Sequence, residues 1–254
     1  MTTWTSGLDA HIAPDLGRSA LVVIDTQVDF IDGGASPIPG TTQILPNIAH
    51  LLAAYRAAAA PIVQVVRLYA GDDVDLLRRA AIAAGAPIAR PGSLGSQIAP
   101  ELRPAGAPDL DAPALLAGHL QNLGPHEVAV WKPRWSAFYR TGLDRHLADL
   151  GVHTVVFAGC NYPNCPRASI YDASERDYRV LIASDAISGV EDHHLEEAGR
   201  IGAIHASSDT IIRMLVHERS IDRTGVRPAP APPSGPCTAP PRGARRGLGN
   251  SVRT

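Results

Sequence analysis

The sequence predicts an α/β fold: one doubly wound, mostly parallel sheet flanked by helices in a three-layer sandwich. Two observations predict it. The runs Ala20-Leu-Val-Val-Ile-Asp25, Ile62-Val-Gln-Val-Val-Arg-Leu68 and Thr154-Val-Val-Phe-Ala-Gly159 are short and β-branched, as strands buried on both faces read. Helical patterns fall between such runs, and strands alternating with helices close a parallel sheet through right-handed crossovers. At 254 residues with 45% hydrophobic composition, the chain is long enough to bury a substantial core.

The elements follow in order. Strand one is Ala20–Asp25, and the turn-rich stretch Asp32–Gly40 separates it from a helix over Ile44–Ala59. Pro61 opens strand two, Ile62–Leu68, and a short helix runs through Val74–Ala80. Gly85–Pro125 is rich in Gly, Pro and Ala and reads as a long excursion with at most short helices, the kind of segment that often forms a lid. Glu127–Lys132 is strand three, Leu143–Leu150 a helix, and Thr154–Gly159 strand four. A turn leads into a helix from about Pro166 to Arg176, and Tyr178–Ala183 is strand five. Two helical patterns, Leu195–Gly202 and Ser208–Glu218, complete the domain, with room for a short strand between them. The expected domain is 1–222. The Pro-, Gly- and Arg-rich segment 223–254 has too little apolar content for a core and is expected to be disordered.

Composition narrows the function. A net charge of −2 supplies no basic field for nucleic acid or anionic lipid. No apolar run is long enough to span a bilayer, and the N-terminal residues lack the basic and apolar regions of a signal peptide. Three cysteines, Cys160, Cys165 and Cys237, form no disulfide framework. A cytoplasmic location and a small-molecule partner are the expectation.

Of the 23 basic residues only Lys132 is a lysine. A lysine retained against that bias suggests a position where a compact ammonium is needed and a planar guanidinium does not serve. In a parallel sheet the strand C-termini gather at one edge, where ligands bind. Asp25 ends strand one, Lys132 ends strand three and Cys165 lies in the turn after strand four. A carboxylate, an ammonium and a thiol are the base, electrostatic partner and nucleophile of a cysteine hydrolase. Pro166 places Cys165 at a helix N-terminus, where the dipole and a nearby lysine are expected to lower the thiol pKa. Cys160 reads as a packed thiol. No strand end carries a Gly-x-Gly-x-x-Gly or P-loop, so a nucleotide-binding reading is weaker.

Three segments resemble the isochorismatase-like cysteine hydrolase superfamily: Val23-Ile-Asp-Thr-Gln-Val-Asp-Phe30, Trp131-Lys-Pro-Arg-Trp-Ser-Ala-Phe138, and Gly159-Cys-Asn-Tyr-Pro-Asn-Cys-Pro-Arg-Ala-Ser-Ile-Tyr-Asp-Ala173. The resemblance spans about Ser19 to Leu215. It implies a triad of Asp25, Lys132 and Cys165, a thioester on Cys165, and an oxyanion hole from the backbone amides of Asn161 and Cys165 with a cis Cys160–Asn161 peptide. It also implies a homo-oligomer and no cofactor.

The departures from the family pattern are informative. Nicotinamidase-type members carry an Asp-x-His metal cluster after strand two; here that region reads Arg67-Leu-Tyr-Ala-Gly-Asp-Asp-Val-Asp75, with no histidine between His50 and His119, so no metal site is expected. His193 and His194, adjacent on a helix, are expected to face apart and to be solvated or capping. A nucleophilic cysteine favours C–N hydrolysis of an amide, ureide or lactam over the vinyl-ether chemistry of true isochorismatases. Arg67, Tyr69, Trp135 and Tyr162 are the candidate substrate contacts, with Phe138 a further apolar wall; Trp135, Phe138 and Tyr162 read equally as ordinary core. Asp72, Asp73 and Asp75 read first as helix-dipole complements; read instead as a cation site, they suit a basic lactam such as streptothricin. Two other readings remain open at this level: an isochorismatase-type hydrolase of another bond, and a non-catalytic binder or thiol sensor.

Overall fold

The computed structural model describes residues 7–223. Of the expected tail only Arg223, the last residue of the final helix, is among them; residues 224–254, with Cys237, lie outside. Seven strands form one sheet: β1 Ser19–Ile24, β2 Ile62–Val66, β3 Gln121–Gly124, β4 Glu127–Trp131, β5 Thr154–Gly159, β6 Arg179–Ile187 and β7 Ile204–Ala206. Their spatial order is β3-β4-β2-β1-β5-β6-β7, all parallel except β3, which pairs antiparallel with β4. The chain winds outward from β1 through β2 to β4, then returns to β5 on the other side of β1. The topological switch therefore lies between β1 and β5, where the crevice of a doubly wound sheet takes its ligands.

Alternate residues of β1 explain why its apolar run is unbroken. Leu21 and Val23 pack with α1 (Thr41–Ala57) and α7 (Ser208–Arg223) through Leu45, Ile48, Leu52, Ile211 and Leu215. Ala20, Val22 and Ile24 face the opposite layer, formed by α4 (Leu143–Asp149), α5 (Cys165–Ser174) and α6 (Asp192–Gly199) through Leu143, Leu147, Ile170 and Ala198. A strand covered on both sides needs apolar side chains at every position.

The structure extends the sequence reading in three places. Helix α1 begins at Thr41 and contains Pro46. The buried Thr41 hydroxyl meets Ser188 Oγ at 3.2 Å, anchoring a start that the proline obscures in the sequence. Strand β6 runs on to Ile187 through the polar pair Ser184-Asp185, because Asp185 accepts from Ser208 N and Oγ at the head of α7. The excursion holds α3 (Ala112–Leu116) and also β3, which the sequence reading missed. Only Leu123 of β3 is buried, so there is no period-two pattern to read. The remaining helix, α2, spans Leu76–Ala83 and starts two residues later than its pattern indicated. Among the described residues no helix is long and apolar enough to cross a membrane.

Candidate active site

The switch point brings three sequence-distant side chains together. Asp25 follows β1 with φ of 54°, while its amide still donates to Val65 O at 2.9 Å. Asp tolerates this left-handed conformation better than most residues, and the bend takes the carboxylate off the strand line at the sheet edge. Lys132 follows β4, its amide on Val66 O at 3.1 Å, and its Nζ donates to Asp25 Oδ2 at 2.7 Å. Its side chain is 0% exposed, so the one lysine is a buried ion-pair partner. Cys165 is the first residue of α5, with Pro166 in the first turn. Close packing of β5 on β1 sets the approach: Gly159 has φ of 118°, and a Cβ there would stand 2.2 Å from Ile24 O.

A second cation belongs to the site. Arg67, just beyond β2 and buried, reaches Cys165 Sγ from Nη2 at 3.7 Å, Asp25 Oδ2 from Nε at 3.8 Å and Asp75 Oδ2 from Nη1 at 3.6 Å. Asp75 caps α2 by accepting from Arg78 N and also accepts from Tyr69 OH at 2.9 Å. Burial works against the Arg67 charge, but Cys165 and Asp25 more than offset it, so its pKa is raised.

The Cys165 thiol corrects one expectation. Burial first, then the Asp25 carboxylate, raise its pKa, and the Lys132 and Arg67 cations recover only part of that. Desolvation and the neighbouring carboxylate together favour the neutral thiol over the thiolate. Beside it, Cys160 is fully buried, donates to Asp25 O at 3.1 Å and has a pKa held far up by burial. It is the packed thiol the sequence suggested.

The peptide between Cys160 and Asn161 is cis. Among the described residues no acceptor stands opposite the amides of Asn161 or Cys165. Asn161, Asn164 and Cys165 line a cavity of about 40 Å³ with Arg67, Tyr69 and Trp135, enough for about three waters. Its mouth is shaped by Leu77, Arg78 and the 40%-exposed Trp135.

Two predicted walls lie elsewhere. Tyr162 is buried, stacks on His194 with ring centroids 4.7 Å apart and donates to His194 O. Its phenol, pushed up to about 12 by burial, faces α6 rather than the cavity. Phe138 packs on Tyr178 under Arg176. His193 and His194 do not face apart: their centroids are 3.9 Å apart, because His194 turns back so that its Nδ1 accepts from Glu191 N. Two of the three carboxylates after β2 are engaged by the protein, Asp73 with Arg134 and Arg140, and Asp75 as described; Asp72 is exposed. Among the described residues no group of three or more His, Cys, Asp or Glu is arranged to hold a metal ion.

Sequence reasoning missed the positioning residues of the opening motif. Gln27, fully buried, donates to Arg67 O and Ser96 O and accepts from Arg67 N. Asp29 Oδ2 accepts from Ala89 N at 2.6 Å, tying down the excursion. Both lie in the segment that carries the resemblance, which was the available signal. Gln27→Ala leaves these partners unsatisfied in the interior; at ~1–3 kcal/mol for each stranded group, it is expected to lower stability by about 3 kcal/mol, read from urea unfolding.

Comparison with known proteins follows this geometry. The isochorismatase domain model matches residues 19–204. A probable inactive nicotinamidase of Arabidopsis thaliana is 31% identical over 175 residues, covering 66% of this chain and 80% of that protein. The ureidoacrylate amidohydrolase of Methylorubrum extorquens is 28% identical over 188 residues, covering 69% and 71%. The crystal structure of an isochorismatase family protein from Desulfovibrio vulgaris superposes with a TM-score of 0.67 at 29% identity, covering 78% of this chain and 98% of that one. A domain match over most of the chain, joined to the parallel sheet and its switch-point crevice, makes this protein a member of the isochorismatase family.

Proposed function

We propose that the protein is a cysteine amidohydrolase that cleaves the C–N bond of a small amide, ureide or lactam through a thioester on Cys165. The observation that carries this reading is the buried convergence of Asp25, Lys132 and the Cys165 thiol beside two amides without acceptors. Asp25 takes the thiol proton as Sγ attacks the carbonyl carbon. The amides of Asn161 and Cys165 receive the developing oxyanion. Asp25 then returns the proton to the departing nitrogen, and water added to the thioester carbonyl releases the acid and restores the thiol. Lys132 keeps Asp25 oriented between these transfers.

The amidohydrolase relative supports the bond type. The paired state of Asp73 and Asp75 weighs against a cationic substrate of the streptothricin kind. Tyr69 and Trp135 are the proposed walls for the group next to the carbonyl. Homo-oligomeric assembly and a cytoplasmic site of action complete the reading and rest on the family resemblance and composition.

The test is mass spectrometry on a panel of carboxamides, ureides and cyclic amides. Water addition to one of them, with an acyl adduct on the Cys165 peptide after acid quench, is the expected result. Turnover without any adduct on Cys165 in rapid-quench samples, together with full activity after Cys165 is alkylated, would overturn it.

The raised thiol pKa carries a separate prediction. A group shifted up is protonated at neutral pH and ionises only above the ordinary thiol range. Iodoacetamide should therefore label Cys165 slowly at pH 7, with a rate still climbing above pH ~8.5. A labelling plateau reached below pH 7 would contradict this and favour the thiol-sensor reading.

A further inference from the structure

We infer that Arg67 is a further catalytic residue of the site: it bridges Asp25 and Cys165 and carries the negative charge from carboxylate to sulfur during thiol activation. The inference rests on the cysteine-hydrolase reading above.

When the proton leaves Sγ for the Asp25 carboxylate, the S–H electron pair stays on sulfur and the negative charge moves from oxygen to sulfur. Asp25 Oδ1 is buried and receives no hydrogen bond, which leaves it available for that proton. Lys132 also favours the thiolate electrostatically, but its hydrogen bond goes to Asp25 Oδ2 at 2.7 Å rather than to Sγ. Arg67 stands almost equally far from both ends, with Nε 3.8 Å from Oδ2 and Nη2 3.7 Å from Sγ. Its attraction to the charge is kept before and after transfer.

Arg67 is also not seated as a structural ion pair would be. A tight Arg–carboxylate pair is frequently bidentate, at about 2.7–2.9 Å. Here three acceptors surround the fork at 3.6 to 3.8 Å, and Nη1 is buried with no hydrogen bond. Gln27 fixes the Arg67 backbone, and the guanidinium lies over the Tyr69 ring, 5.7 Å from its centroid. A buried cation left this loosely paired among two carboxylates and a thiol is poised for charge that arrives during reaction.

Two substitutions test the role through alkylation of Cys165 by iodoacetamide, read by peptide mass spectrometry at pH 8.5, without any need for the natural substrate. Arg67→Gln is expected to slow labelling at least tenfold, because the thiolate loses its donor. Arg67→Lys keeps the charge without the fork and is expected to slow it by a smaller factor. Loss of fold gives the opposite signature, since an exposed thiol labels faster. Should the Gln variant unfold, the Lys variant decides the matter. An Arg67→Lys labelling rate equal to wild type overturns the bridge, and so does an unchanged rate in a folded Arg67→Gln protein. The two readings fail separately. No hydrolysis of any amide, with labelling still dependent on Arg67, would reject the amidohydrolase and leave the thiol-activating role standing.

Discussion

Cys165→Ala is expected to lower kcat/KM for the hydrolysed amide by at least about 10⁴-fold, because removal of a nucleophile leaves only binding and the oxyanion donors. The fold should barely respond. The side chain borders the cavity, so Sγ is removed from a wall with open space beside it. Alanine is also a good residue in the first turn of a helix. Thermal unfolding within about 1 kcal/mol of wild type is the expected companion result. Steady-state kinetics paired with calorimetry checks both halves. Activity retained near the wild-type level would remove covalent catalysis by Cys165 from consideration.

Lys132→Met carries the largest expected cost in stability. The ammonium is fully buried on Asp25 Oδ2, and deleting it strands a buried carboxylate whose nearest remaining cation, Arg67, is 3.8 Å away. Breaking one side of a buried pair costs about 3–5 kcal/mol, which for a domain of this size lowers Tm by roughly 10 °C. Lys132→Arg is not expected to rescue, since a planar fork does not fit a fully enclosed ammonium site. The double variant Asp25→Leu/Lys132→Met is the diagnostic. It removes both charges together, so it should recover much of the stability while remaining inactive. A double variant as unstable as Lys132→Met alone would show that the loss comes from packing rather than from the stranded charge.

The parts of the molecule legible in the sequence are those whose signal is local. β1, β2 and β5 could be read because both faces of each are covered, which requires apolar residues at nearly every position. Lys132 stood out through the arginine bias of the rest of the chain. Asp25 and Cys165 followed from the rule that parallel strands end at one edge. β3 was illegible because an edge strand with one buried residue has no pattern to show. Tyr162 and Phe138 were misplaced because an aromatic residue near a motif reads the same whether it turns toward the cavity or into a helix layer. Gln27 and Asp29 were visible only as motif letters. Their partners, Arg67, Ser96 and Ala89, lie 40 to 69 residues away, beyond the reach of any periodicity.

By itself, then, the sequence determined the parallel sheet, the edge at which chemistry gathers, and the carboxylate, ammonium and thiol found there. These depend on residue type, order and strand direction, all of which are written along the chain. The tertiary structure alone decided the direction of the Cys165 pKa shift, the contacts of Arg67 with Asp25 and Cys165, and the pairing of Asp73 and Asp75. Each of these is a balance of desolvation against charges supplied by other elements, and burial and interatomic distance exist only once those elements have packed.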